Sequence, residues 1–363
     1  MSRIALLFVS LLPFASVAVA QETTTPAPSP TPTPVVNVHG FVDVYYAWNP
    51  NRPPEHDNFI PGTGSTAKHG NELGLNLAAL TLSHAPDPVG FTLVLNAGSG
   101  TDVIHSGEPA NGRDVYRAIY QASVVYEPGR PGGVQIEAGV FPCHVGFEGF
   151  FSKDNWNYTR SWLGEFSPYY STGVKVGFPL GNHLRAQVHV LNGWQIIRDN
   201  NDAKTIGTQL LWSSDRVLTA FNTMYGAELP GDESSKRAFG DLWVSFKATP
   251  AFTVAASLDA GRQDLPEAPT AKWWGAAGYA RFAFTDASAV ALRLERFDDP
   301  DGGIAGSPQL LDEATLTLEH RPRPNLILKL EGRYDNADDP VFRDKNGLED
   351  SQLLFILGVV AVF

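Results

Sequence analysis

The chain has 363 residues, 43% of them hydrophobic and 18% charged, with 34 Gly, 21 Phe and a formal net charge of −12 at pH 7. That negative balance argues against nucleic acid as a partner, and the single Cys143 excludes an internal disulfide framework. A mean hydropathy of −0.14, with no apolar run of about 18–20 residues downstream of the N-terminus, excludes membrane-spanning helices but fits a barrel that is oily outside and wet inside.

Arg3, the apolar run Ile4 to Phe14 and the small residues Ala18-Val19-Ala20 form the three parts of a cleavable export signal over residues 1–20. The mature chain is expected to begin near Gln21, and with no Cys at the cleavage point a lipid anchor is not expected. Residues 22–34, ETTTPAPSPTPTP, cannot bury apolar surface or join a strand ladder. Segment 21–35 therefore reads as an extended periplasmic linker, with a tether to the cell wall as its functional alternative.

From Val36 to the end the hydrophobic period is two, and no stretch of ten or more residues carries a 3.6-residue stripe. The predicted strands are 36–48, 72–83, 89–97, 114–126, 133–140, 169–178, 183–193, 204–213, 217–226, 237–248, 252–262, 273–284, 288–298, 312–321, 325–335 and 350–363, sixteen in all. In 325–335, Leu326, Leu328 and Leu330 alternate with Ile327, Lys329, Glu331 and Arg333, so one face is oily and the other carries charge. The connections alternate between short and long. Tight turns such as Pro179 to Asn182 and Thr249 to Ala251 separate long polar stretches at 49–71, 98–113, 141–168, 194–203, 227–236, 263–272, 299–311 and 336–349. That rhythm is expected of an outer-membrane barrel with periplasmic turns and external loops, and not of a soluble sandwich. Residues 36–363 are accordingly read as one all-β domain, an antiparallel up-and-down transmembrane barrel.

Aromatic residues gather at strand ends, Trp48, Trp194, Trp273 and Tyr334 on the external side and Phe91, Tyr126, Trp212 and Phe284 on the periplasmic side, as two interfacial girdles require. The last strand alternates Leu353, Phe355, Leu357, Val359, Ala361 and Phe363, and its apolar stretch matches the roughly 9–11 residues of a tilted membrane strand. Phe363 is the expected contact for the barrel-assembly machinery.

The connection Phe141 to Pro168 mixes Phe147, Phe150, Phe151, Trp156 and Trp162 with Glu148, Lys153, Asp154, Arg160 and Glu165. A loop folded into the lumen can pack such rings on the wall and leave charges across the channel, so it reads as a constriction. The alternative is an external lobe or a subunit contact. On the polar strand faces Asp43, Arg117, Gln121, Lys175, Arg185, Arg293, Glu295, Lys329, Glu331 and Arg333 are candidate wall residues, whose mixed charges would tune solute preference by lining. Salt bridges that stiffen the wall are the competing role for each of them.

Metal and catalytic signals are weak. Asp298-Asp299-Pro300-Asp301-Gly302 opens like a calcium loop, but Gln309 and Leu310 occupy the offsets where the acidic twelfth ligand should stand. His144 near Ser152, or His189 on a strand, would suit a membrane hydrolase, but no nucleophile elbow supports one. No enzyme activity, cofactor or metal is expected.

The segments His39-Gly40-Phe41-Val42-Asp43 through Trp48-Asn49, Asn157-Tyr158-Thr159-Arg160-Ser161 with Pro168-Tyr169-Tyr170, and Leu191-Asn192-Gly193-Trp194 with Asp199-Asn200-Asn201 resemble the beta-barrel porin-2 (OmpL-like) family over essentially the whole mature chain. The resemblance implies an outer-membrane porin of Gram-negative bacteria that lets small hydrophilic solutes diffuse passively; it assigns no catalytic residue and no cargo. The competing function is a plugged structural or adhesive barrel linked to the cell wall by its Pro-rich arm. Expected partners are outer-membrane lipid, lipopolysaccharide and small solutes. A homotrimer is open to it, although no trimer patch stands out, and anion or cation preference is left open.

Overall fold

The computed structural model describes residues 35–108 and 116–363. The predicted export signal, and the Pro-rich segment up to Pro34, lie outside the described residues. Sixteen antiparallel strands, β1 (Asn37–Trp48) to β15 (Leu326–Ala337) and β18 (Ser351–Val362), close into one barrel in chain order. Two-residue strands β16 (Phe342–Arg343) and β17 (Leu348–Glu349) form a hairpin inside the last external loop.

Closure is what a bilayer demands, because an open sheet edge would leave backbone groups unpaired in lipid. Strand β1 pairs with β18 from Phe41↔Val362 to Trp48↔Phe355. The seam ends with Gly40 N–H donating to Phe363 C=O at 3.0 Å and Phe363 N–H donating to Gly40 C=O at 2.9 Å. Gly40 is required there, since a Cβ would stand 2.2 Å from the Phe363 ring.

The burial pattern is that of a soluble protein turned inside out. Along β15, Lys329, Glu331, Arg333 and Asp335 are buried while Leu330 is 55% and Tyr334 46% exposed. Strands β13 (Ser288–Asp299) and β14 (Gln309–Arg323) repeat this, with Arg293, Glu295 and Glu313 inside and Leu294, Leu316 and Leu318 outside. Water cannot solvate such a belt of Leu on every strand, whereas acyl chains can.

Three predicted features differ. Strand β4 (Ile119–Tyr126) starts later than expected, so Arg117 precedes it and pairs with Asp102 of helix α1 (Ser99–Ile104). Residues 263–272, predicted as a long loop, instead extend strands β11 (Phe252–Leu265) and β12 (Ala268–Thr285) to a two-residue turn, Pro266 and Glu267. Glu267 takes φ +59°, the left-handed geometry that tight hairpin turns need. The helices α1 and α2 (Trp162–Glu165) were below the length that periodicity can reveal.

Candidate functional site: the lumen and its inward loop

The connection between β5 (Gln135–Pro142) and β6 (Tyr170–Pro179), residues 143–169, folds into the barrel. Its rings pack on the inner wall. Phe147 lies 4.9 Å from Tyr279 and 5.3 Å from Trp156 between ring centroids, Phe151 meets Phe41 at 5.0 Å and Tyr120 at 4.9 Å, and Phe166 stacks on Phe297 at 4.7 Å. On β18, Gly358 leaves the space that the Tyr158 ring fills, for a Cβ there would sit 2.3 Å from it.

Wall charges then strap the loop backbone. Lys329 Nζ donates to the carbonyls of Ser152 at 2.7 Å, Asn155 at 2.5 Å and Asn157 at 3.3 Å. Glu331 accepts from Tyr158 N–H at 2.5 Å, Thr159 N–H at 3.0 Å and the Thr159 hydroxyl at 2.5 Å. Glu295 accepts from the N–H groups of Trp162 at 2.7 Å and Leu163 at 2.6 Å, which open helix α2. Arg293 donates to Glu148 and to the Thr159 carbonyl, each at 2.7 Å, and to Glu313 at 2.8 Å. Arg333 donates to the Arg160 carbonyl at 2.5 Å and to Asp335, which also accepts from Trp162 Nε1 at 2.9 Å. Asp43 accepts from Tyr158 Oη at 2.7 Å, Ser152 Oγ at 2.6 Å and Asn76 at 2.7 Å.

A loop has many backbone groups that no ladder pairs, and burying them unpaired would cost about 1–3 kcal/mol each. The inward charges of β1, β13 and β15 supply those partners. Asp43, Arg293, Glu295, Lys329, Glu331 and Arg333, read from the sequence as pore wall, point into the barrel but are 6% exposed or less and hold the loop instead of lining water. Within the loop, Glu148 and Arg160 are buried as well, and Glu165 accepts from Gly64 N–H at 2.9 Å, Ser65 Oγ at 2.6 Å and Tyr169 Oη at 2.8 Å, tying the first external loop to the third. Burial alone would lift the Glu148 carboxyl; the Arg293 guanidinium, with bonds from Ser161, overcomes it and holds the group below its ordinary value. Lys153 and Asp154, bonded to each other at 2.8 Å, keep contact with solvent, as Glu165 does in part.

The rest of the lumen is wetter. Lys175 pairs with Glu137 at 2.8 Å, Gln121 donates to Glu137 at 3.2 Å, and Arg185 donates to the Gly132 carbonyl at 2.9 Å. Arg281, Arg321 and Lys329 approach one carboxylate, Glu319, at 3.3, 3.2 and 3.7 Å. Glu137, Arg281, Glu313, Glu319, Arg321 and Asp335 were not singled out from the sequence, although each lies on the inward parity of its strand.

The hydrolase reading loses its geometry. Ser152 is held by Asp43, while His144 donates through Nε2 to the Thr223 carbonyl at 3.3 Å and packs on His189 with ring centroids 4.1 Å apart. Burial pushes the His144 imidazole down to about 4. The Asp299 carboxylate accepts from Gly303, Ile304 and Ala305 N–H at 2.7 to 3.0 Å, which accounts for the acidic turn as a self-capped loop. Among the described residues no group of three or more His, Cys, Asp or Glu is placed to hold a metal ion.

A family model described as "Putative beta-barrel porin-2, OmpL-like" matches residues 35–363. The chain belongs to that family. This porin shares its fold with solved porins. They include the anion-selective porin from Comamonas acidovorans, 12% identical, with a TM-score of 0.61, covering 91% of this chain and 100% of that one. The outer-membrane channel DcaP of Acinetobacter baumannii is 13% identical at a TM-score of 0.60, covering 90% of this chain and 97% of that one. OmpF of Salmonella typhi, solved with daunomycin, is 11% identical at 0.62, with the same 90% and 97% coverage. No curated protein matches the porin by sequence. Family and fold together make it an outer-membrane channel protein.

Proposed function

We propose that the porin is a passive channel for small hydrophilic solutes, narrowed by residues 143–169. The observation that carries this reading is the split inner wall, one arc consumed in strapping the loop and the other left polar and in reach of water. Diffusion down a gradient needs no cofactor, and the reading assigns the chain no reaction. Under it Lys153 and Asp154, with Gln121, Lys175 and Arg185 opposite, meet passing solute. Proteoliposomes carrying the porin should swell in small sugars and cease to swell as sugar size rises; no swelling in any of them would contradict the proposal.

One observation favours a second reading, a plugged structural barrel. At mid-height inward side chains around the circumference are buried, among them Asp43 at 0%, His189 at 1%, Asn222 at 0%, Asp259 at 3% and Arg293 at 0%. A loop that never leaves this seat would block the lumen, and intact barrels would then be electrically silent. Export by the N-terminal signal, capture of Phe363 by the assembly machinery, contact of the acidic external loops with lipopolysaccharide through divalent ions, a periplasmic place for the Pro-rich linker and a homotrimer all accompany the channel reading as proposals.

A further inference from the structure

The acidic balance of the chain is not spread evenly along the barrel axis. Both chain ends of the barrel and the tight turns share one rim, so strand direction gives each charge its height. The long loops at the other rim hold acidic clusters such as Asp298, Asp299 and Asp301, or Asp338 and Asp339. Below the inward loop, in the turn-side half, the order reverses. Arg185 opens β7 (Leu184–Leu191), Arg281 and Arg321 stand near the ends of β12 and β14, and Lys175 lies midway along β6. All four are inward, and the side chains of Lys175, Arg281 and Arg321 are 21%, 28% and 39% exposed.

Two carboxylates pair with three of these four cations, while Arg185 donates to the carbonyl of Gly132, whose N–H donates to Glu127 at the rim. Glu137 is matched to Lys175, and Glu319 is shared by Arg281, Arg321 and the buried Lys329. Lys153 and Asp154 cancel on the underside of the loop. One carboxylate cannot satisfy two guanidinium forks, each with five N–H donors in a plane, so donors are left pointing into the wet vestibule. A low-dielectric wall around such an excess focuses its field and raises the local concentration of counter-ions.

We propose that this basic vestibule makes the channel prefer small oxyanions, of carboxylate or phosphate type, with Arg281 and Arg321 as the groups that meet them. The inference rests on the channel reading and adds the sign of the preferred solute. Reversal potentials measured across planar bilayers under gradients of potassium chloride, acetate and phosphate test it, at about 0.1 M salt, where screening still spares charges some 10 Å apart. The expected result is an anion preference in the native protein, with whichever oxyanion shifts the potential more identifying the favoured source. Replacing Arg281→Gln and Arg321→Gln together should cut the anion-to-cation permeability ratio by roughly a factor of two or more, and Lys175→Gln should move it the same way by less. Heat-shifted gel mobility checks that each barrel is folded. A native channel that conducts but prefers potassium, or a double variant with an unchanged ratio, overturns the proposal and leaves the channel reading standing. Electrical silence of the native barrel removes both.

Discussion

The two arcs of the inner wall carry similar residue types and do different work. On β1, β13 and β15 the inward charges are dry, each one bonded to loop backbone or to a buried counter-charge; Lys175 on β6, Arg185 on β7, Arg281 on β12 and Arg321 on β14 reach water. The difference is geometric. Where Gly358 lets Tyr158 approach, the loop covers the wall and its unpaired backbone recruits every charge within reach. Where no loop lies, the same kinds of side chain stay in reach of water. Charge in a barrel lumen is thus dry or wet according to what covers it.

Mutations should separate the arcs, beginning with the largest effect. Arg293→Met strands Glu148 and Glu313 in a dry site, and breaking such a buried pair costs about 3–5 kcal/mol. The expected outcome is a marked fall in the urea midpoint of the folded barrel together with a larger, noisier conductance. Gly358→Ala places a methyl against the Tyr158 ring and should cost about 1–3 kcal/mol by overpacking, read by the same unfolding curve. On the wet arc, Arg321→Gln should change stability by under ~1 kcal/mol, as half-exposed ion pairs do, while still altering ion selectivity. An equal stability loss on both arcs would erase the distinction.

Acid gives the smallest effect. The Glu148 carboxyl lies below its ordinary value in the folded protein, so its contribution is complete above the unfolded carboxylate range, near 4.5, and is lost as pH falls through the lower folded value. Conductance should therefore hold steady between pH 7 and about 5. The loop should loosen only in stronger acid, and Glu148→Gln should abolish that acid step.

Much of this fold is legible in the sequence because a barrel strand exposes its period directly. In Asn325 to Asp335 the leucines and the charges separate by parity alone, and fourteen of the sixteen strands fall within three residues of their predicted ends. The exceptions are β4 and β12; β4 fails at Arg117, where polar alternation continues past the ladder into a segment that pairs with Asp102. The stretch 263–272 misleads the other way, since Pro266 reads as a loop signal although it marks a two-residue turn. For the candidate site, parity identifies which side chains point inward, but not which of them a loop will cover. Lys329 and Lys175 look alike in sequence, yet the first is capped by three carbonyls and the second lies in reach of solvent.

The most direct test is single-channel recording of the mature protein beside a variant lacking 149–156, both confirmed as folded barrels. A lumen narrowed by a strapped loop predicts stepwise conductance in the native protein and severalfold larger steps in the variant. Equal conductance in the two proteins would contradict it.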